Sequence, residues 1–369
     1  RTKARAVRAH ARGHLGRVLE ALEDAQHARA GCAEAGDVRA TAHASLDECA
    51  LLDRASRSNE AAAAAIMART LIIQLAGPIP RADDPERDNV ALRARLAHAE
   101  GRALARIGRH RDAKGLLGVA VAFGAKLETV AGRETELDAR LLLASEHVAL
   151  GALDAADAEL ETVFTYAHAS NDLPRISAAH DARALVRCAR RDLDGAEADL
   201  AAAIELAREL RDDALEYRAR YHRGELLIWR DRLDDAVASA RRAFELCAAA
   251  PVPHAGILLA RVAVARGDLA SLDSHLQWVA TTFPDDEIPV DVRLFRDAAR
   301  ASLDRARSPA WDRIVAEAGT IGLTVNARLE IFLAALAGTA DAAARADLRR
   351  AALALTEDPS WRARLRAAG

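Results

Sequence analysis

Twelve histidines and four cysteines are the residues through which this chain could do chemistry. Their spacing argues against most of it. His10 and His14 stand four apart, which on a helix puts two imidazoles on one face, as in a paired metal ligand. No third ligand falls on that face nearby and the segment is rich in Arg, so both rings are expected in solvent near a frayed end. No HExxH exists; His147 stands alone in Glu146–His147–Val148. There is no phosphate-cradling GxxxxGK[ST] loop, no GxGxxG after a strand and no Gly-x-Ser-x-Gly elbow. Cys32, Cys49, Cys188 and Cys247 are scattered without a CxxC, so neither a zinc knuckle nor a redox pair is indicated. They read as buried, reduced thiols of a cytosolic protein, and without a matched His they are weak nucleophiles. The expectation is a non-enzymatic chain with no cofactor and no metal.

What remains is recognition chemistry. Tyr221, Glu225 and Trp229 lie at i, i+4 and i+8, on one helical face. Aromatics make up only 4% of the chain, so two on one stripe are notable as binding anchors with large rigid area and a polar handle. The competing reading is that both rings fill gaps between helices. Arg95, Arg102 and Arg106 form a second stripe that can hold an acidic tail or carboxylate by charge-assisted bonds. Its competing reading is a solvated face.

Composition narrows the classes. A net charge of −3 and a pI near 6.5 argue against a general nucleic-acid surface. The only lysines are Lys3, Lys114 and Lys126, and the surplus of Arg and Ala fits a GC-rich genome. No apolar run reaches the roughly 18 residues needed to span a membrane, since Arg69 and Gln74 interrupt the run 61–76. No signal peptide is visible. The chain starts on Arg1 rather than Met, and the expectation is a segment of a longer polypeptide. The hydrophobic fraction of 51% with few rings means a core built largely from Ala, the best helix former.

The elements that must position these residues repeat. Five segments share a small residue, a tight turn seven positions on, Leu or a stand-in, and usually Ala. They are Gly101–Gly108–His110–Ala113, Ala144–Gly151–Leu153–Ala156, Ala184–Arg191–Leu193–Ala196, Gly224–Asp231–Leu233–Ala236 and Ala260–Gly267–Leu269–Leu272. Leu153, Leu193 and Leu233 are 40 residues apart and Leu269 follows after 36. Self-similarity at a fixed period predicts stacked helical hairpins. Helices are expected over 134–150, 154–169, 175–189, 194–210, 213–229 and 234–248. Asp154, Asp194 and Asp234 are expected to cap their helices, and Asp172, Pro174, Pro251 and Pro253 to mark connections. The chain divides into degenerate helical hairpins (1–77), a Pro-rich loop (78–88), regular repeats (89–283) and irregular helices that cap the array (284–369).

At these residues the chain resembles the tetratricopeptide-repeat family. Gly151, Leu153, Ala156 and Leu160 match its consensus, as do Leu193, Ala196, Leu200 and Ala203. So do Leu233, Ala236, Ala240 and Ala243, and Gly108, Ala113, Leu117 and Ala120. The family's early Trp is absent, with Ala97, Arg140, His180 and Arg220 in its place, and the period exceeds the usual one of about 34. Long repeats of this kind look like those in large bacterial signalling proteins. The resemblance implies an all-α, right-handed superhelical solenoid of antiparallel hairpins whose first helices line a concave groove. The family's groove positions map onto Arg95, His98, Arg102, Arg106, Asp138, Leu141, Ser145, Asp181, Leu185, Cys188, Arg218, Tyr221, His222, Glu225 and Trp229. The Asn and Lys of the family's carboxylate clamp are missing, so binding of chaperone C-termini is not implied. The expected function is a cytoplasmic protein-interaction scaffold or regulatory module. Its groove would take a peptide or partner domain, including another domain of the same polypeptide, and neither nucleic acid nor membrane. The alternative is a ligand- or peptide-sensing regulatory domain; a structural oligomer is a third reading.

Overall fold

The computed structural model describes residues 2–14, 17–55, 57–78, 86–303 and 308–368, and it is all-α. The first four helices are α1 (Thr2–His14), α2 (Val18–Glu34), α3 (Val38–Arg54) and α4 (Ser58–Ala76). The regular hairpins follow: α5 (Arg87–Arg106) with α6 (His110–Lys126), α7 (Val130–Ala149) with α8 (Leu153–Ser170), and α9 (Leu173–Ala189) with α10 (Leu193–Leu210). Then come α11 (Asp213–Trp229) with α12 (Leu233–Leu246), and α13 (Pro253–Arg266) with α14 (Leu269–Thr282). A short 3₁₀ turn, Asp285–Glu287, leads to α15 (Val290–Leu303), α16 (Ser308–Thr320), α17 (Val325–Gly338), α18 (Ala342–Ala354) and α19 (Pro359–Ala367). The expected solenoid of antiparallel hairpins is what the chain forms.

The repeated residues explain the repeat. At each turn one residue sits in the left-handed region, which ends a helix by returning its last amides to the preceding turn. Gly108, Gly151 and Gly267 do this with φ of 75°, 74° and 69°. Arg191 and Asp231 do the same at 65° and 60°, where a side chain costs about 1 kcal/mol or more. Ala113, Ala156, Ala196, Ala236 and Leu272 then begin the buried face of each second helix with no exposed surface. Leu117, Leu160 and Leu200 fill the next turn of that face at 1% exposure or less, each worth about 2 kcal/mol of transfer free energy. The small residue on the first helix allows backbones to approach. A Cβ on Gly101 would lie 2.8 Å from Leu117 Cγ, and one on Gly224 would lie 2.8 Å from Leu258 Cδ2 of the next unit.

Asp154, Asp194 and Asp234 are not caps. They stand in the first turn of their helices, and their carboxylates reach one hairpin onward, to Arg190 (2.7 Å), Arg230 (2.8 Å) and Arg266 (2.7 Å). Capping falls instead to residues such as Asp192, which accepts from Gly195 N at 3.0 Å, and Asp172, which accepts from Arg175 N at 3.2 Å. Asp172 thus marks the connection from α8 to α9 as the N-cap of α9, with Pro174 in its first turn. The ladder is solvent-exposed and fixes register more than it adds stability, at about 0–1 kcal/mol per rung.

Residues 79–85, the body of the Pro-rich loop, lie outside the described residues, as does the side chain of His14. The flanks of the loop are held. Arg93 donates to the carbonyls of Ala76 and Gly77 at 2.7 Å, and Arg39 grips Glu86 and Asp88 at 2.6 and 2.8 Å.

The C-terminal helices do more than extend the stack. They reach back across the edge where the first helices end. Asn59 donates to Asp286 at 2.6 Å, and His110 Nε2 donates to the Ile321 carbonyl at 3.1 Å. Asn326 donates to the Cys188 carbonyl at 3.2 Å, and Arg364 to the Ile228 and Trp229 carbonyls at 3.3 and 2.8 Å. A single core runs from Ala184 on α9 to Leu365 on α19, so no break in packing separates the regular hairpins from these helices.

Candidate functional site

The first helices α5, α7, α9 and α11 carry the residues mapped to the groove. Their polar groups are joined from helix to helix. Asp47 of α3 holds Arg95 at 2.5 Å, and His43 lies 3.1 Å from the same guanidinium. Asp53 takes both Arg102 and Arg106, the latter at 2.8 Å. The three guanidinium groups of the stripe Arg95–Arg102–Arg106 are therefore paired with two carboxylates from α3, a helix of the degenerate hairpins. A cavity of about 270 Å³ opens beside it, walled by His98, Arg102, Arg106, Asp53 and the segment 286–290. Burial, with Arg102 close by, pushes the His98 imidazole down to about 4, so this ring is neutral at physiological pH.

Further along, Asp138 of α7 accepts from Arg175 of α9 at 3.1 Å. Asp181 of α9 is buried and is clasped by Arg218 at 2.8 Å and His222 Nδ1 at 2.7 Å, both on α11. Burial alone would raise the Asp181 carboxyl. His222 and Arg218 outweigh it and hold the group below its ordinary value. The same pairing raises His222 against the opposite pull of its own burial. Tyr221 packs edge-on against His222 and His254, with ring centres 5.4 and 5.7 Å apart, and Tyr217 lies 6.4 Å away. Half-buried rings and charged groups thus lie together on α9, α11 and the start of α13.

Trp229 is a correction to the sequence reading. It is 5% exposed and is not open to a partner. Its Nε1 donates to Glu330 of α17 at 2.9 Å. Glu225, four residues before it, meets Arg261 of α13 at 2.5 Å, and Arg261 also donates to Glu330 from Nε and Nη2, both at 2.8 Å. Arg261 lies over the Phe295 ring at 3.8 Å. Burial would push this guanidinium towards neutrality; Glu330 and Glu225 outweigh it and hold its pKa well above the usual value. The stripe Tyr221–Glu225–Trp229 is real as one helical face, but its lower end is closed by α17.

Sequence reasoning did not find Arg261, Glu330, Tyr217 or His254. Arg261 could have been reached, because it lies 36 positions after Glu225 in the repeating frame. Glu330 belongs to the irregular C-terminal helices and no period points to it.

Chemistry beyond recognition is sparse among the described residues. No group of three or more His, Cys, Asp or Glu is placed to hold a metal ion. Burial pushes the Cys49 thiol up to about 11 and the Cys188 thiol up to about 12, which removes thiolate at neutral pH. No described helix is long and apolar enough to cross a membrane.

No family model matches this chain, and no curated protein matches it. Among solved structures it is similar to a tetratricopeptide repeat protein from Parabacteroides merdae ATCC 43184, with a TM-score of 0.45 and 11% sequence identity. That likeness covers 80% of this chain and 98% of the other. The tetratricopeptide-like character rests on the chain's own geometry: small residue against large, left-handed turn, and Ala at the start of the second buried face.

Proposed function

We propose that this chain is a protein-interaction module that receives an extended peptide, or a segment of a neighbouring domain, on the inner wall between α5 and α11. The observation that carries this is the set of bonds running from one first helix to the next: Asp138 to Arg175, and Asp181 to both Arg218 and His222. They hold wall side chains in fixed positions before anything binds, which lowers the entropic cost of recognition. Asp138, Arg218 and Tyr221 remain partly open to solvent and supply an acid, a base and a ring within that frame. A peptide with mixed charge and one apolar side chain complements such a wall.

The setting we propose is a regulatory module of a larger cytoplasmic bacterial signalling protein, in which the occupant is another domain of the same polypeptide. The buried free thiols support a reducing compartment. Selection of a random-peptide display library on the immobilised chain tests the reading. Enriched peptides should bind the wild type and lose about tenfold or more in affinity on Tyr221→Ala or Arg218→Glu, with the helical circular dichroism unchanged. Peptides that ignore both substitutions, or no enrichment at all, would remove the inner wall as the recognition surface.

A further inference from the structure

A cavity lies between α13, α15, α17, α18 and α19. Its volume is about 690 Å³, within the range of small-molecule sites. Most of its lining is apolar, with Val264, Leu269, Phe295, Ile331 and Leu333 among the larger side chains. Its charged lining is uneven: Arg261, Arg345 and Arg364 face a single acid, Glu330.

These four groups are not equivalent. Glu330 is already held by Arg261 and by Trp229. Arg364 donates to two main-chain carbonyls of α11 and its end, and stacks at 4.6 Å over Trp361, with Asp231 3.5 Å away. Arg345 of α18 is half-buried, and its guanidinium makes no hydrogen bond or ion pair among the described residues. Thr339, also on the cavity wall, is 4% exposed, and its hydroxyl has no hydrogen-bond partner. An apolar chamber carrying a guanidinium with no protein partner and a buried hydroxyl without one is suited to an anionic acceptor.

We infer that this cavity binds a small molecule with an apolar body and a single carboxylate, which Arg345 takes as a two-pronged acceptor while the aliphatic part packs against Val264, Phe295, Ile331 and Leu333. A carboxylate matches one planar guanidinium; a more highly charged head would leave charge unmatched in a low-dielectric wall. The site borders the Arg261–Glu330–Trp229 clamp, so its occupant stiffens the contact between the C-terminal helices and the hairpins. It stands independently of the inner-wall reading, since neither Tyr221 nor Arg218 lines it.

Isothermal titration with alkyl carboxylates from hexanoate to laurate, each to about 5 mM, tests the inference. At least one should bind saturably at one site and change the Trp fluorescence through Arg364 and Trp361. Arg345→Ala should weaken it by about tenfold or more, Arg345→Lys less, and the matching alcohol should bind no better than the Arg345→Ala variant binds the acid. Ala334→Phe, which fills the chamber, should abolish binding while helical content is retained; Tyr221→Ala should leave it intact. The inference is overturned if no carboxylate in the series saturates. Equal binding to wild type, Arg345→Ala and Ala334→Phe would overturn it as well.

Discussion

Replacing Glu330 with Ala should loosen the C-terminal helices from the hairpins. The substitution removes both hydrogen bonds from Arg261 and the one from Trp229, leaving the guanidinium with Glu225 at 2.5 Å and Tyr221 at 3.4 Å. The Arg261 side chain is 2% exposed, so only water entering from the neighbouring cavity could stand in for the lost acceptor. Breaking a buried pair by removing one partner costs about 3–5 kcal/mol, and the surviving Glu225 contact puts this case at the lower end, about 3. Trp229, Trp311 and Trp361 all belong to this core, so urea unfolding followed by Trp fluorescence reads it directly. Arg261→Met should be similarly costly, because two carboxylates then face an apolar side chain. The double variant Arg261→Met with Glu330→Met should recover part of that loss, with a coupling of about 2 kcal/mol. A cost below about 1 kcal/mol for Glu330→Ala, or simple additivity in the double variant, would refute the clamp.

Three smaller perturbations follow from the same geometry. Arg191→Gly relieves a left-handed φ of 65° and should stabilise the α9–α10 turn by about 0.5–1 kcal/mol in urea denaturation. Gly256→Ala should destabilise by about 1–3 kcal/mol, because its Cβ would fall 2.6 Å from the Trp278 ring and 2.8 Å from Val279 Cγ2; thermal denaturation reads it. His98 has a folded pKa of about 4 against 6.5 unfolded, so its contribution is complete above the unfolded value and is lost as pH falls towards the folded one. Between pH 7.5 and 5 this amounts to at most about 2 kcal/mol, read as the stability difference between wild type and His98→Gln at the two pH values. His222 titrates in the opposite sense, since its raised pKa adds stability below the unfolded value. The comparison must therefore be made against the single variant.

The sequence made the hairpins legible because their determinants are local and periodic. A left-handed turn, an Ala that must vanish into the second helix and a Leu one turn later recur at fixed distances, whatever surrounds them. Arg191 and Asp231 were read as turn residues even without Gly, since the frame placed them. Asp154, Asp194 and Asp234 looked like caps but tie each hairpin to the next; only α10 has a side-chain cap two residues earlier, at Asp192. The groove positions were legible as a face, and Asp181 of α9 meets Arg218 and His222 of α11 across it. Partners outside the regular repeats were not. Asp47 and Asp53 come from hairpins too degenerate to align, and Glu330 comes from helices with no period, so the paired Arg stripe and the buried Trp229 had no signature along the chain. The cavity at Arg345 is assembled mostly from the irregular C-terminal helices, where no period marks its lining.

The return of the C-terminal part of the chain onto the hairpins is the claim on which the clamp and the cavity depend. Asn59 and Asp286 are in contact at 2.6 Å although 227 positions separate them, and both are exposed. The pair Asn59→Cys with Asp286→Cys should therefore be joined within one chain by a short bis-maleimide, which spans two side-chain tips in contact, detectable as a faster-migrating monomer carrying the mass of one linker. Attachment of two separate linkers to folded monomer, while each single variant still reacts with an alkylating probe, would mean that the two segments do not meet and would contradict the fold described above.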